Sequence, residues 1–210
     1  MRRSGFLIPC FAILLAACNE SVITDVPVDA SEAGKVTFTL SADLRNDVVD
    51  VKSSAEEISV DDFWVEIFNS KNKRLYCEKY AEAKDDVINL NTGDYRLLAK
   101  YGDSLGVGFD KPFYMADVAF AVEARKDNSV SAVAKLANVK VKVIFGENLS
   151  NTEFYGDCFA IIRNSDRKVK SELKFRKDET RAGYIPAGEL VLEVYAKIGD
   201  SYKYYPVEAK

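Results

Sequence analysis

The sequence predicts an all-β protein: two tandem β-sandwich domains behind an apolar leader and a short tether. Three observations predict it. Apolar residues recur with period two over many short stretches, the spacing of a strand with one buried face. No amphipathic helix of ten or more residues is legible after the leader. Segments of the first half also recur in the second at a common offset. Hydrophobic residues make up 48% of the 210 and aromatics 11%, enough to fill sizeable cores.

The leader begins with Arg2 and Arg3 and runs apolar from Gly5 to Ala17, interrupted by Pro9 and Cys10. That length suits a signal-peptide core and falls short of the ~20 residues that span a bilayer. It ends in Leu15-Ala16-Ala17-Cys18, which reads as a lipobox: cleavage between Ala17 and Cys18, with lipid on Cys18. Residues 1–17 are therefore expected to be a lipoprotein signal peptide, and 18–33 a lipidated cysteine and flexible tether. The alternative is an ordinary secretory signal ending in small residues. Acyl chains contribute about 0.8 kcal/mol per buried CH₂, and several on one cysteine anchor a protein stably. The tether from Asn19 to Ala33 is polar and carries Asp25, Pro27, Asp29 and Glu32.

From Gly34 the strands follow in order. Val36, Phe38 and Leu40 alternate with Lys35, Thr37, Thr39 and Ser41. A polar loop covers Arg45 to Ala55. Phe63, Val65 and Ile67 alternate next, and Asn69-Ser70-Lys71-Asn72 turns the chain. Leu75 and Cys77 begin a partner strand, Glu78 to Lys84 holds one helical turn, and Val87 to Leu90 is short and apolar. Tyr95, Leu97, Ala99 and Tyr101 alternate after Gly93-Asp94. Gly102 to Lys111 is a glycine-rich loop, Val118 to Val122 a strand, and Asp127-Asn128 a turn. Val130 to Phe145 reads as two strands in line, interrupted at Asn138, one closing the first domain and one opening the next. Phe159–Arg163, Leu173–Phe175, Leu190–Ala196 and Tyr202–Tyr205 complete the series.

The repeat is carried by two pairs of segments. Phe63–Ser70 aligns with Cys158–Ser165, and Leu90–Leu97 with Ile185–Leu192, both at an offset of 95 residues. Val36-Phe38-Leu40 aligns with Val141-Val143-Phe145 at 105, the difference falling in the loop around Arg45 to Ala55. The expected domains are 34–136 and 137–210. The second copy is shorter after the match to Tyr101, a deficit of about two strands. That predicts an open edge and an apolar groove, a template for an added strand.

Composition limits the chemistry. The formal net charge is −4 with a pI near 5.1, which argues against nucleic acid and against docking on anionic lipid by charge. There is no histidine, which removes the usual general base and the commonest metal ligand, so no catalytic residue, metal or cofactor is assigned. Cys77 and Cys158, expected in different domains, read as buried thiols. Asp61-Asp62 and Asp85-Asp86 are neighbours that a strand would point to opposite faces, so they read as turn caps. Asp103, Asp110 and Asp117 flank the glycine-rich loop and are weak candidates for calcium. Trp64, Tyr76 and Tyr114, and a second cluster of Tyr202, Tyr204 and Tyr205, are candidates for stacking on a sugar, against core or edge packing.

The lipobox, the acidic tether, the strand starts at Gly93-Asp94-Tyr95 and Gly188-Glu189-Leu190, and the run Lys135–Val141 together resemble the fimbrillin-like lipoproteins of Bacteroidota. The resemblance implies transthyretin-like Greek-key sandwiches and a lipid-anchored protein of the outer membrane, cell surface or fimbrium. It implies assembly by strand exchange with fimbrial or surface proteins. Arg45, in the loop after the first strand, matches the position of proteolytic processing in that group. Ser104, within Asp103-Ser104-Leu105, matches its O-glycosylation signal. Fimbrillin shafts donate C-terminal strands that this chain stops short of supplying, which favours an anchor, an accessory component or an unassembled surface lipoprotein over a shaft subunit. The expected function is therefore non-enzymatic adhesion or assembly through sheet edges. The alternative is a carbohydrate-binding module that uses exposed aromatics.

Overall fold

The computed structural model describes residues 28–29, 31–44, 58–147, 157–165, 171–198 and 200–207. The first sandwich is built from β1 (Ala33–Ala42), β2 (Trp64–Asn69), β3 (Arg74–Lys79), β4 (Ile88–Asn91), β5 (Gly93–Tyr101), β7 (Tyr114–Val122) and β8 (Asp127–Leu136). One layer has the order β3-β2-β5-β7 and the other β8-β1-β4. The layers join only where Tyr114 and Met115 pair with Leu136 and Lys135. β1 is sandwiched edge to edge, antiparallel to β4 and parallel to β8 over Lys35–Ala42.

The period-two pattern does what it predicts. Val36, Phe38 and Leu40 of β1 are 0%, 3% and 7% exposed, and Val130, Ala132 and Ala134 of β8 point into the same core. Across it lie Val65, Ile67, Leu97 and Ala99. A side chain the size of Phe38 or Ile67 contributes about 1.5–3 kcal/mol when fully buried. The turn after β2 is set by Asn69, whose side-chain oxygen accepts from the N–H groups of Lys71 and Lys73. The one described α-helix, α1 (Tyr80–Ala83), is a single turn, and no described helix is long and apolar enough to cross a membrane.

The second sandwich repeats this order. β10 (Cys158–Asn164), β11 (Glu172–Arg176), β13 (Leu190–Ile198) and β14 (Ser201–Val207) form β11-β10-β13-β14, and β9 (Asn138–Val141) pairs with β12 (Gly183–Pro186). Strand by strand this is β3-β2-β5-β7 facing β4-β1. The register carries the repeat too. Val36 faces Ile88 and Val141 faces Gly183; Trp64 faces Lys100 and Phe159 faces Tyr195. The predicted offsets of 105 and 95 therefore hold in the pairing itself.

Two points differ from expectation. The deficit is one strand, because β14 occupies the place of β7, and only a partner equivalent to β8 is lacking among the described residues. The loop at Gly102–Lys111 also holds a strand, β6 (Gly108–Phe109), which pairs with Tyr184 and Gly183 of β12. Two residues paired across so long a separation leave no periodicity to read. Phe109 meets Phe175 edge-on at 5.2 Å, Arg181 lies over its ring, and the Asp110 N–H donates to the Ala182 carbonyl. Asn138, buried where β8 gives way to β9, accepts from the Phe113 N–H and donates to the Lys111 carbonyl.

Candidate binding surfaces of the second sandwich

Where β8 completes the first sandwich, the second is open. β9 is an edge strand, and no strand pairs with it on the side away from β12 among the described residues. The exposure follows. Val141, Val143 and Phe145 match Val36, Phe38 and Leu40, yet all three are half-buried. Across the layer Leu192 and Val194 are also half-buried, where Leu97 and Ala99 are sealed. Ile144 beside them is 81% exposed. Tyr205 pairs with Val194, so it faces this same flank rather than joining Tyr202 and Tyr204. The result is a strand-wide apolar flank bounded by one free backbone edge.

The opposite face of the β11-β10-β13-β14 layer is different in kind. Register places Arg176, Phe159, Tyr195 and Tyr204 side by side on four strands. Phe159 stacks on Tyr195 at 4.9 Å and 14°, and Tyr195 meets Tyr204 at 5.5 Å. Tyr202 leans on Phe159 at 5.5 Å, and the Lys174 ammonium lies 3.6 Å from the Phe159 centroid. The acids here are engaged. Arg163 binds Glu172 and Glu193, the Tyr195 hydroxyl donates to Glu193, and that of Tyr202 donates to Asp157. Burial, with the Glu193 hydrogen bond, pushes the Tyr195 phenol up. The Asp157 hydrogen bond does the same for Tyr202.

The matching face of the first sandwich holds charge instead. Glu66, 3% exposed, takes Arg74 at 2.7 Å and Lys100 at 2.8 Å. Burial opposes its charge, but the hydrogen bonds from Lys100 and Arg74 outweigh it and hold the carboxyl below its ordinary range. Tyr76 and Tyr114 are core residues. Burial and a hydrogen bond to Asp86 drive the Tyr76 phenol far above its usual value.

The other predicted residues separate. Cys18, Ala17 and Arg45 lie outside the described residues. Ser104 is exposed in a turn where Asp103 accepts from the Leu105 N–H. Asp110 sits near Arg181 and Asp117 near Arg96, so the three aspartates are not gathered around one point. Asp61 pairs with Lys84. No group of three or more metal-type side chains occurs among the described residues. Both described cysteines are buried thiols outside any disulfide. Phe159 and Tyr195 escape sequence reading because only register reveals that they are neighbours.

Two sandwiches of one topology, one closed and one open, define a tandem β-sandwich protein. Residues 32–208 match the family described as Domain of unknown function (DUF4493), and the chain belongs to that family. No curated protein matches it. Among solved structures it resembles a candidate polysaccharide-binding protein (DUF1812) from Bacteroides thetaiotaomicron at 13% identity, covering 81% of this chain and 78% of that one, TM-score 0.45. A candidate adhesin from Bacteroides ovatus is similar at 10% identity, with 82% and 75% covered, TM-score 0.43. A second, from Bacteroides ovatus ATCC 8483, is similar at 9% identity, with 97% and 88% covered, TM-score 0.45.

Proposed function

We propose that this protein is a lipid-anchored protein of the outer membrane or cell surface that binds rather than catalyses, taking a β-strand from a partner protein along β9. The observation that supports this most directly is that, among the described residues, no strand pairs with β9 on the side away from β12. β8 runs parallel to β1 and fills the first core with Val130, Ala132 and Ala134. The incoming strand would run parallel to β9 in the same way, with apolar residues at alternate positions. Backbone bonds to the free edge would give affinity, and burial of Val141, Val143, Leu192 and Val194 would set the phase. Such a protein suits an anchor or accessory role in a fimbrial assembly. Lipid on Cys18 would hold it at the membrane, Arg45 is the candidate processing site, and Ser104 stands exposed for O-glycosylation.

The test uses residues 19–210 and a labelled peptide copying Asp127–Leu136, with binding read by fluorescence anisotropy and the mass of the complex by light scattering. The expected result is a one-to-one complex that is lost when the residues at 130, 132 and 134 of the peptide become Asp. Equal binding of the two peptides, or of neither, would sink the acceptor reading. Radiolabelled palmitate incorporation that vanishes in Cys18→Ala checks the anchor separately.

A further inference from the structure

We infer that the outer face of the β11-β10-β13-β14 layer is a binding site for an acidic polysaccharide, seated on Tyr202 and Tyr204, which Phe159 and Tyr195 brace, with its carboxylates toward Arg176 and Lys197. This face lies on the opposite side of the layer from the strand-acceptor flank, and the inference stands apart from that reading. Tyr202 and Tyr204 are 49% and 48% exposed although they sit on a solvent face where polar residues would be free of cost. Phe159 and Tyr195 spend their ring faces on each other and on Lys174, so they form a stiff ladder. Tyr204 ends that ladder on the edge strand, and Tyr202 flanks it. Two exposed tyrosine rings held by this ladder present C–H-binding surface at low entropy cost, as a pyranose chain requires.

Charge selects the kind of sugar. Among the described residues of this face, Glu172 and Glu193 are engaged by Arg163, and Asp157 by the Tyr202 hydroxyl. Arg176 shares the row of Phe159, and Lys197 pairs with Tyr202; neither has an ion pair among the described residues. Among these described residues the cations are open and the carboxylates engaged. Uronate carboxylates would make charge-assisted hydrogen bonds there. The corresponding positions of the first sandwich are Trp64, Lys100 and Met115, which make no aromatic row. The chain as a whole is acidic, so a polyanion would not adsorb to it indiscriminately.

Affinity electrophoresis of residues 19–210 in gels holding polygalacturonate or neutral dextran tests this. Retardation by polygalacturonate alone is expected. Tyr202→Ala with Tyr204→Ala should weaken it by about tenfold, as loss of central aromatic anchors does. Arg176→Gln with Lys197→Gln should weaken it similarly, and Met115→Ala should not. Circular dichroism and urea midpoints check that each variant is folded; should the tyrosine pair unfold, Tyr204→Phe against Tyr204→Leu takes its place. No retardation, equal retardation by dextran, or retardation indifferent to the tyrosine variants would each overturn the inference.

Discussion

In the first sandwich β1 is held on both sides, by β4 and β8; in the second, β12 is the one strand that pairs with β9 among the described residues. The inward residues of the two strands are of one kind, valines and phenylalanines with a leucine. Their burial differs because of a neighbour, not because of their own identity. The outer faces differ the other way. There the backbone is the same and the residues have changed: Glu66 matches Ile161, Lys100 matches Tyr195, and Met115 matches Tyr204. One copy is closed and carries a buried ion cluster; the other is open and carries rings. Topology alone therefore assigns neither surface, and each must be argued from what is missing or added.

The largest effect should come from Gly183, where the first sandwich has Ile88. A Cβ at Gly183 would lie 2.2 Å from Leu173 and 2.6 Å from Phe175. Gly183→Val should cost about 3 kcal/mol by overpacking, read from urea unfolding. A loss near zero would mean that the second sandwich repacks as freely as its open flank permits. Next is Phe109→Ala, which removes the first sandwich's ring from the second core. About 2 kcal/mol is expected, below a fully buried Phe because Phe109 is half-buried.

Glu66→Gln should cost about 2 kcal/mol at pH 7, discounted because Arg74 and Lys100 keep partial access to water. Its folded pKa lies below the ordinary glutamate value of 4.5. Its stabilisation is therefore present above that pH and fades as pH falls through the lower folded value. The difference between wild type and Glu66→Gln should shrink on going from pH 7 to pH 3, in denaturation curves at each pH. Glu66→Ile, which installs the residue of the second copy, should cost less than Glu66→Gln. The smallest effect needs no mutation. Amides of β9 should exchange with deuterium about tenfold faster than those of β1, by mass spectrometry, and equal protection would remove the contrast.

Much of this was legible in the sequence, for a physical reason. A strand with one buried face writes itself as alternation, so Val36–Leu40 and Tyr95–Tyr101 could be read directly, and the repeat followed from aligning such stretches. Pairing between distant residues writes nothing. That is why β6 reads as loop in the sequence, why Tyr205 reads as one cluster with Tyr202 and Tyr204 though it faces the other way, and why the Phe159–Tyr195 stack leaves no sequence signal. Burial of Glu66 was hidden as well, since an acid on a solvent-facing position signals exposure until its two cations are placed. The shortened second copy predicts a deficit of two strands, and β14 fills one of those two places.

Only Ala137 separates β8 from β9, and a single covalent crossing acts as a swivel. The chain crosses a second time at β6, which leaves the first sandwich, pairs with β12 and returns. Two attachment points fix an axis and remove the rotation that one would permit. A pull applied to a strand held along β9 would thus reach the first sandwich as tension shared by two links rather than as torsion on one residue. The force needed to part the halves would then be set by shearing the Phe109–Phe175 contact as well as by the stretch of backbone at Ala137.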